Sequence, residues 1–194
     1  CATGAIWLLS AGAREGERFA SYSDAVQSFD WTGFYSEFNG EVFFEWLRKQ
    51  LEAVCDITLI DSRTGVTEMG GVCTRHLADL VVGLCAPNEA NLAGMERIAE
   101  ALLRSETLKA ARRNRSLDFI AIPTRVDRQG ENSRLNDWRR QFLDRVGRLI
   151  QRDAEILWDL AIPYVSYYSF EEKLVVGEPD SHPDLNKCYA YLGA

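Results

Sequence analysis

The chain has 194 residues, of which 46% are hydrophobic and 26% charged, enough to cover one core and too apolar for extensive disorder. A net charge of -7 and a pI near 5.0 argue against a dedicated nucleic-acid binder, whose affinity comes from Lys and Arg on phosphates. No apolar run approaches the roughly 18 residues of a membrane span, and five scattered cysteines read as reduced thiols, so a cytoplasmic protein without a membrane partner is expected.

Along the chain, Ala5 to Leu9 is a short apolar run closed by Ser10 to Ala13 and reads as a buried strand. Residues 10–40 carry Gly12, Gly16, Gly33 and Gly40 among aromatics, so a loop-rich excursion with one short helix near Tyr22 to Phe29 is expected. From Glu41, the residues Phe43, Trp46, Leu47, Leu51 and Val54 recur at helical spacing, on a face expected to lie on a sheet. Asp56 to Asp61 changes to a strand pattern ending in a carboxylate. Ala78 to Ala86 is a second buried strand, closed by Pro87 and Asn88.

A helical stripe follows at Leu92, Met95, Ile98, Ala99, Leu102 and Leu103, then a strand from Leu117 to Pro123. Leu135, Trp138, Phe142, Val146 and Leu149 mark another helix. Ala161 to Val165 is a last short strand, and Asp184 to Leu192 a closing helix with Leu185, Tyr189 and Leu192 inward. Strands alternating with helices of this length imply parallel crossovers. The fold class expected is therefore α/β, a mostly parallel sheet with helices on both faces, in a single domain over residues 1–194. In such sheets ligands gather at the carboxyl ends of the strands, just after Leu9, Ile60, Ala86, Ile122 and Val165.

The sharpest local signal is Ile57-Thr-Leu-Ile-Asp61-Ser-Arg-Thr-Gly65, an apolar strand that delivers an Asp into a loop with a glycine. An Asp there can hold Mg²⁺, and a glycine amide can approach a phosphate; it can equally cap the next turn. The segment resembles the Walker B and switch II region of the MinD/ParA group of P-loop NTPases. Ala5 to Gly12 is similar to the strand and turn that precede it there, and Asp79 to Asn91 to the strand and helix that follow.

That resemblance implies a P-loop NTPase-like, Rossmann-like three-layer sandwich and an ATP-dependent molecular switch. It places Asp61 at Mg²⁺ as metal ligand and catalytic residue, Gly65 near the γ-phosphate, and Ser62, Arg63 and Thr64 in the switch loop. Thr124, Arg125, Asp127 and Pro163 would then face the base. An Asn-Arg pair is commoner where Thr124-Arg125 stands, and Thr124-Arg-Val-Asp127 also resembles the Thr-Lys-x-Asp signature of related GTPases, so ATP is implied first and GTP second. Dimers around two nucleotides are implied for the complete protein.

One departure dominates. The family's phosphate loop, ending in Gly-Lys-Ser/Thr, is missing, and none of Lys49, Lys109, Lys173 and Lys187 follows a glycine. The start at Cys1 rather than Met leads to the expectation of an NTPase domain cut short at its amino end and inactive as it stands. The other possibility is a noncatalytic interaction scaffold derived from the same fold.

Weaker signals have plainer readings. Cys73 and His76 stand one helical turn apart without a second ligand pair, so no metal site is expected there. Arg145, Arg148 and Arg152, and Lys109, Arg112, Arg113 and Arg115, alternate with acids or follow helix ends and read as solvated surface, not as a nucleic-acid interface. Trp31, Phe34, Tyr35 and Phe38 around Gly33 read first as a loop folded over the core and second as a partner-binding patch.

Overall fold

The structure, a computed structural model, describes residues 4–10, 12, 17–62, 71–127, 132–150, 154–170, 175–176 and 182–192. The chain is mixed α/β and forms two compact units, Cys1–Leu47 and Arg48–Ala194.

In the first unit, α1 (Glu17–Gln27) and α2 (Trp31–Glu37) occupy the stretch expected to be loop-rich, and α3 (Gly40–Val54) begins before the unit ends. Asp30 explains the second helix: its Oδ1 accepts the Gly33 N–H at 2.9 Å, satisfying an orphan donor of the first turn. Phe34 is the hub of an aromatic cluster, its ring centroid lying 5.5 Å from Phe29, 5.9 Å from Phe43 and 5.7 Å from Phe44. The tight reversal between α2 and α3 uses Asn39 at φ 53, and Gly40 lies so close to the Phe34 ring that a Cβ would collide with it.

The α3 helix is where the spacing predicts it, but its inward face is different. Phe44 is buried, whereas Phe43, Trp46 and Val54, expected on a sheet, are exposed. Phe44 instead packs its ring against Phe34 and Tyr35 of α2, burying apolar surface within the first unit.

The second unit carries β1 (Leu80–Cys85), α4 (Glu89–Leu103), α5 (Glu106–Ala111), β2 (Asp118–Pro123), α6 (Asn132–Phe142), α7 (Ala154–Asp159), α8 (Tyr167–Phe170) and α9 (Pro183–Leu192). Two π-helical turns, Cys73–Leu77 and Leu143–Gly147, complete it. Strands β1 and β2 run parallel in register from Leu80 opposite Asp118 to Cys85 opposite Pro123. The crossover between them is α4 with α5, capped by Asn88, whose side chain accepts the Asn91 N–H, and by Ser105, which accepts that of Leu108.

The core lies on the face of the sheet formed by Cys85, Phe119 and Ala121, against Leu92, Met95 and Ala99 of α4 and Trp138, Phe142 and Val146 of α6 and its π turn. Each large apolar side chain buried there contributes about 1.5–3 kcal/mol relative to exposure. Gly83 is a point of close approach: a Cβ on it would come within 2.6 Å of Met95 Sδ.

The other face of β1 is different. Leu80, Val82 and Leu84 are exposed, so among the described residues the sheet has two strands and β1 is not covered on both faces. The strands expected at 5–9 and 56–61 are absent: residues 4–10 and 57–62 carry no regular structure, and Ile6, Trp7, Leu8, Leu9, Ile57 and Leu59 are exposed. Apolar character makes a strand only where a neighbouring strand pairs with it, and neither segment has a ladder. The expected strand 161–165 is reduced to one bridge, Val126 with Pro163. In α9, Leu185 is buried as expected, but Cys188 occupies the inward position three residues on, and Tyr189 is exposed. The Leu192 side chain lies outside the described residues.

Candidate functional site

The parallel register ends both strands at one level, Cys85 and Pro123, and the chain leaving β2 is held by hydrogen bonds on both sides. Thr124 N–H donates to the Cys85 carbonyl at 2.9 Å, which ties it to β1. On the opposite side Ile162 N–H donates to the Pro123 carbonyl at 2.9 Å and Val126 N–H donates to the Ile162 carbonyl at 3.1 Å. Tyr164 N–H completes the bridge by donating to the Val126 carbonyl at 3.0 Å. Val126 is buried, while Thr124 and Pro163 are half-buried and Arg125 and Asp127 exposed.

Between these two anchors Arg125 takes the left-handed conformation, with φ 56. For a side chain with a Cβ this costs about 1–2 kcal/mol. It persists because Thr124 and Val126 are fixed to different neighbours and the peptide between them must reverse. The Arg125 guanidinium lies over the Tyr164 ring, 5.4 Å from its centroid. A flat cation on a flat ring, beside a half-buried hydroxyl and a proline, is a surface suited to planar, polar-edged groups.

Four of the sequence-expected site residues, Thr124, Arg125, Asp127 and Pro163, are therefore brought together by the ladder around Val126. Asp61 and Ser62 are exposed in the segment without regular structure, so no strand delivers them to the carboxyl end of the sheet. Arg63, Thr64 and Gly65 lie outside the described residues. Tyr164 was not singled out by the sequence; the signal was an aromatic directly after the proline of the last apolar run.

The amino end of the sheet holds a second polar cluster. Arg112, read from sequence as surface charge, is buried: it donates from Nη1 to the Arg75 carbonyl at 2.7 Å and from Nη2 to the Ser116 carbonyl at 2.8 Å. Asp79 lies 3.7 Å from Arg112, 3.4 Å from Arg115 and 3.6 Å from Arg48, so one carboxylate ties together the middle of α3, the entry to β1 and the turn before β2. These contacts tie the start of β1 to the turn before β2.

Burial pushes the Cys73 thiol up from its ordinary value, which makes it a poorer nucleophile and a poorer metal ligand. Among the described residues no group of three His, Cys, Asp or Glu side chains is placed to hold a metal ion. Comparison of the chain with protein-family models, with curated proteins and with solved structures finds no match.

Proposed function

We propose that this chain is part of an ATP-dependent molecular switch of the MinD/ParA type, a P-loop NTPase-like, Rossmann-like sandwich whose base side is formed by Thr124, Arg125, Asp127 and Pro163. The observation that supports it most is the convergence of those four positions at the carboxyl end of a parallel strand pair, where open α/β sheets gather ligands. The left-handed Arg125 adds to it, since strained backbone concentrates at binding sites.

The residues at hand suit the base of a nucleotide and not its phosphates. Mg²⁺ in such enzymes takes one or two carboxylates together with substrate phosphate oxygens, and Asp61 is a single carboxylate with no phosphate cradle in the sequence. Asp61 at Mg²⁺, Gly65 near the γ-phosphate and Ser62, Arg63 and Thr64 in a switch loop thus require a phosphate loop supplied by further sequence. The 194 residues alone neither bind nor hydrolyse ATP appreciably, and a nucleotide-bridged homodimer belongs to the complete protein.

The coding sequence ahead of Cys1 tests this reading. A Gly-Lys-Ser/Thr loop there, in a longer chain whose ATPase activity disappears with Asp61→Ala, is the expected result. A start codon immediately ahead of Cys1 would overturn it in favour of a noncatalytic scaffold, a reading that the exposed aromatics of the first unit favour.

A further inference from the structure

Between Phe19 and Leu47 the chain has five acidic residues and no Lys or Arg. Within the first unit, Phe38, Val42, Phe43 and Trp46 are 73%, 60%, 44% and 54% exposed. Val42 and Trp46 are four residues apart on α3, with Phe43 beside them, and the Phe43 and Trp46 rings are 5.8 Å apart. Glu41 and Glu45, also four apart, line the adjacent face, and Glu37 ends α2 next to Phe38. An apolar strip with acids along its rim is unlike the scattered single hydrophobes of an ordinary surface.

We propose that Phe38, Val42, Phe43 and Trp46, rimmed by Glu37, Glu41 and Glu45, dock a basic amphipathic helix of a partner protein. Charge complementarity selects that occupant. The partner's apolar stripe covers the aromatic strip, its Lys and Arg side chains reach Glu37 and Glu41 foremost, and a guanidinium or ammonium over the Phe43 or Trp46 ring gains a cation–π contact. A second copy of this face would set glutamate against glutamate, and phosphate-bearing surfaces are repelled by the same acids. These residues share none with Thr124, Arg125, Asp127 and Pro163, so the proposal does not rest on the nucleotide reading.

The test uses the whole chain and a synthetic helical peptide with Leu at i, i+3, i+4 and i+7 and Lys elsewhere, alongside the same peptide with Glu for Lys, titrated by calorimetry. The Lys peptide is expected to bind and the Glu peptide not. Glu41→Lys with Glu45→Lys, and separately Phe38→Ser with Val42→Ser, are each expected to weaken binding at least about tenfold. Glu100→Lys with Asp137→Lys, an equal charge change in the second unit, should leave it within about twofold. The second pair of substitutions avoids the ring cluster around Phe34, and circular dichroism verifies that each variant is folded. Absence of binding by the Lys peptide, equal binding of the Glu peptide, equal losses in the Glu100/Asp137 control, or no loss in either patch variant would each overturn the proposal. Tighter binding to vesicles of anionic lipid or to duplex DNA than to the Lys peptide would do the same.

Discussion

Val126 lies opposite Pro163 in a parallel bridge, and this pairing sets the segment Ile162 to Tyr164 beside the chain that leaves β2. The turn Thr124 to Asp127 therefore has neighbours on both sides. Millimolar adenosine is expected to shift the backbone amide signals of Thr124, Arg125, Val126, Asp127 and Tyr164 in a nitrogen-proton correlation spectrum. Guanosine should shift them less. Unchanged signals at these five positions, or shifts confined to other parts of the chain, would remove the base-side assignment.

Arg125 combines an unfavourable backbone conformation with a ring contact, and substitutions separate the two. Arg125→Gly relieves the left-handed strain and loses the cation over Tyr164, two effects of about 1 kcal/mol and opposite sign, so its urea midpoint stays close to the parent's. Arg125→Val keeps the strain, worsens it by β-branching and loses the contact, and should be less stable than Arg125→Gly by about 1–2 kcal/mol. Equal midpoints for the two variants would show that the turn relaxes.

Arg112 donates to three backbone carbonyls in two parts of the chain, at Arg75 and at Arg115 and Ser116, while almost wholly excluded from solvent. Arg112→Met preserves much of the volume and leaves those carbonyls, and Asp79, without this partner. A loss of about 3 kcal/mol is expected, read as a lower urea midpoint at unchanged slope. An exposed pair is the contrast: Lys109→Met, which breaks only the ion pair to Glu106, should cost less than about 0.5 kcal/mol.

Cys85 is fully buried at the end of β1, and burial pushes its thiol up to about 11 from 9.0. Because the folded value is raised, the neutral thiol is favoured in the folded state. Its stabilising contribution is full below pH 9 and is lost as pH rises through about 11. Part of the decline in stability over that window, roughly 3 kcal/mol at most, should vanish in Cys85→Val. In the native state at pH 8, Cys85 should resist alkylation until urea unfolds the chain. A native labelling rate equal to that of an unfolded peptide thiol would contradict this.

Much of the second unit was legible in sequence because its signals are local. Apolar spacing located α4, with Leu92, Met95, Ala99 and Leu102 inward, and the helix carrying Trp138, Phe142 and Val146; continuous apolar runs located β1 and β2. In the first unit the helix expected near Tyr22 to Phe29 overlaps α1 and that expected from Glu41 is α3, whereas glycines among aromatics suggest a loop where the Asp30 cap and the aromatic cluster around Phe34 make α2. By contrast, Asp56 to Asp61 and Ala5 to Leu9 have the composition of strands and no ladder, because strand formation depends on a neighbour that no local pattern specifies. Composition and periodicity by themselves determined that this is an acidic α/β chain, where most of its helices run and which runs are apolar. The tertiary structure alone decided that Thr124 to Asp127 meets Pro163, that Arg112 is interior and that Trp46 faces solvent, since each depends on contacts between segments distant in sequence and on which apolar surfaces find a partner.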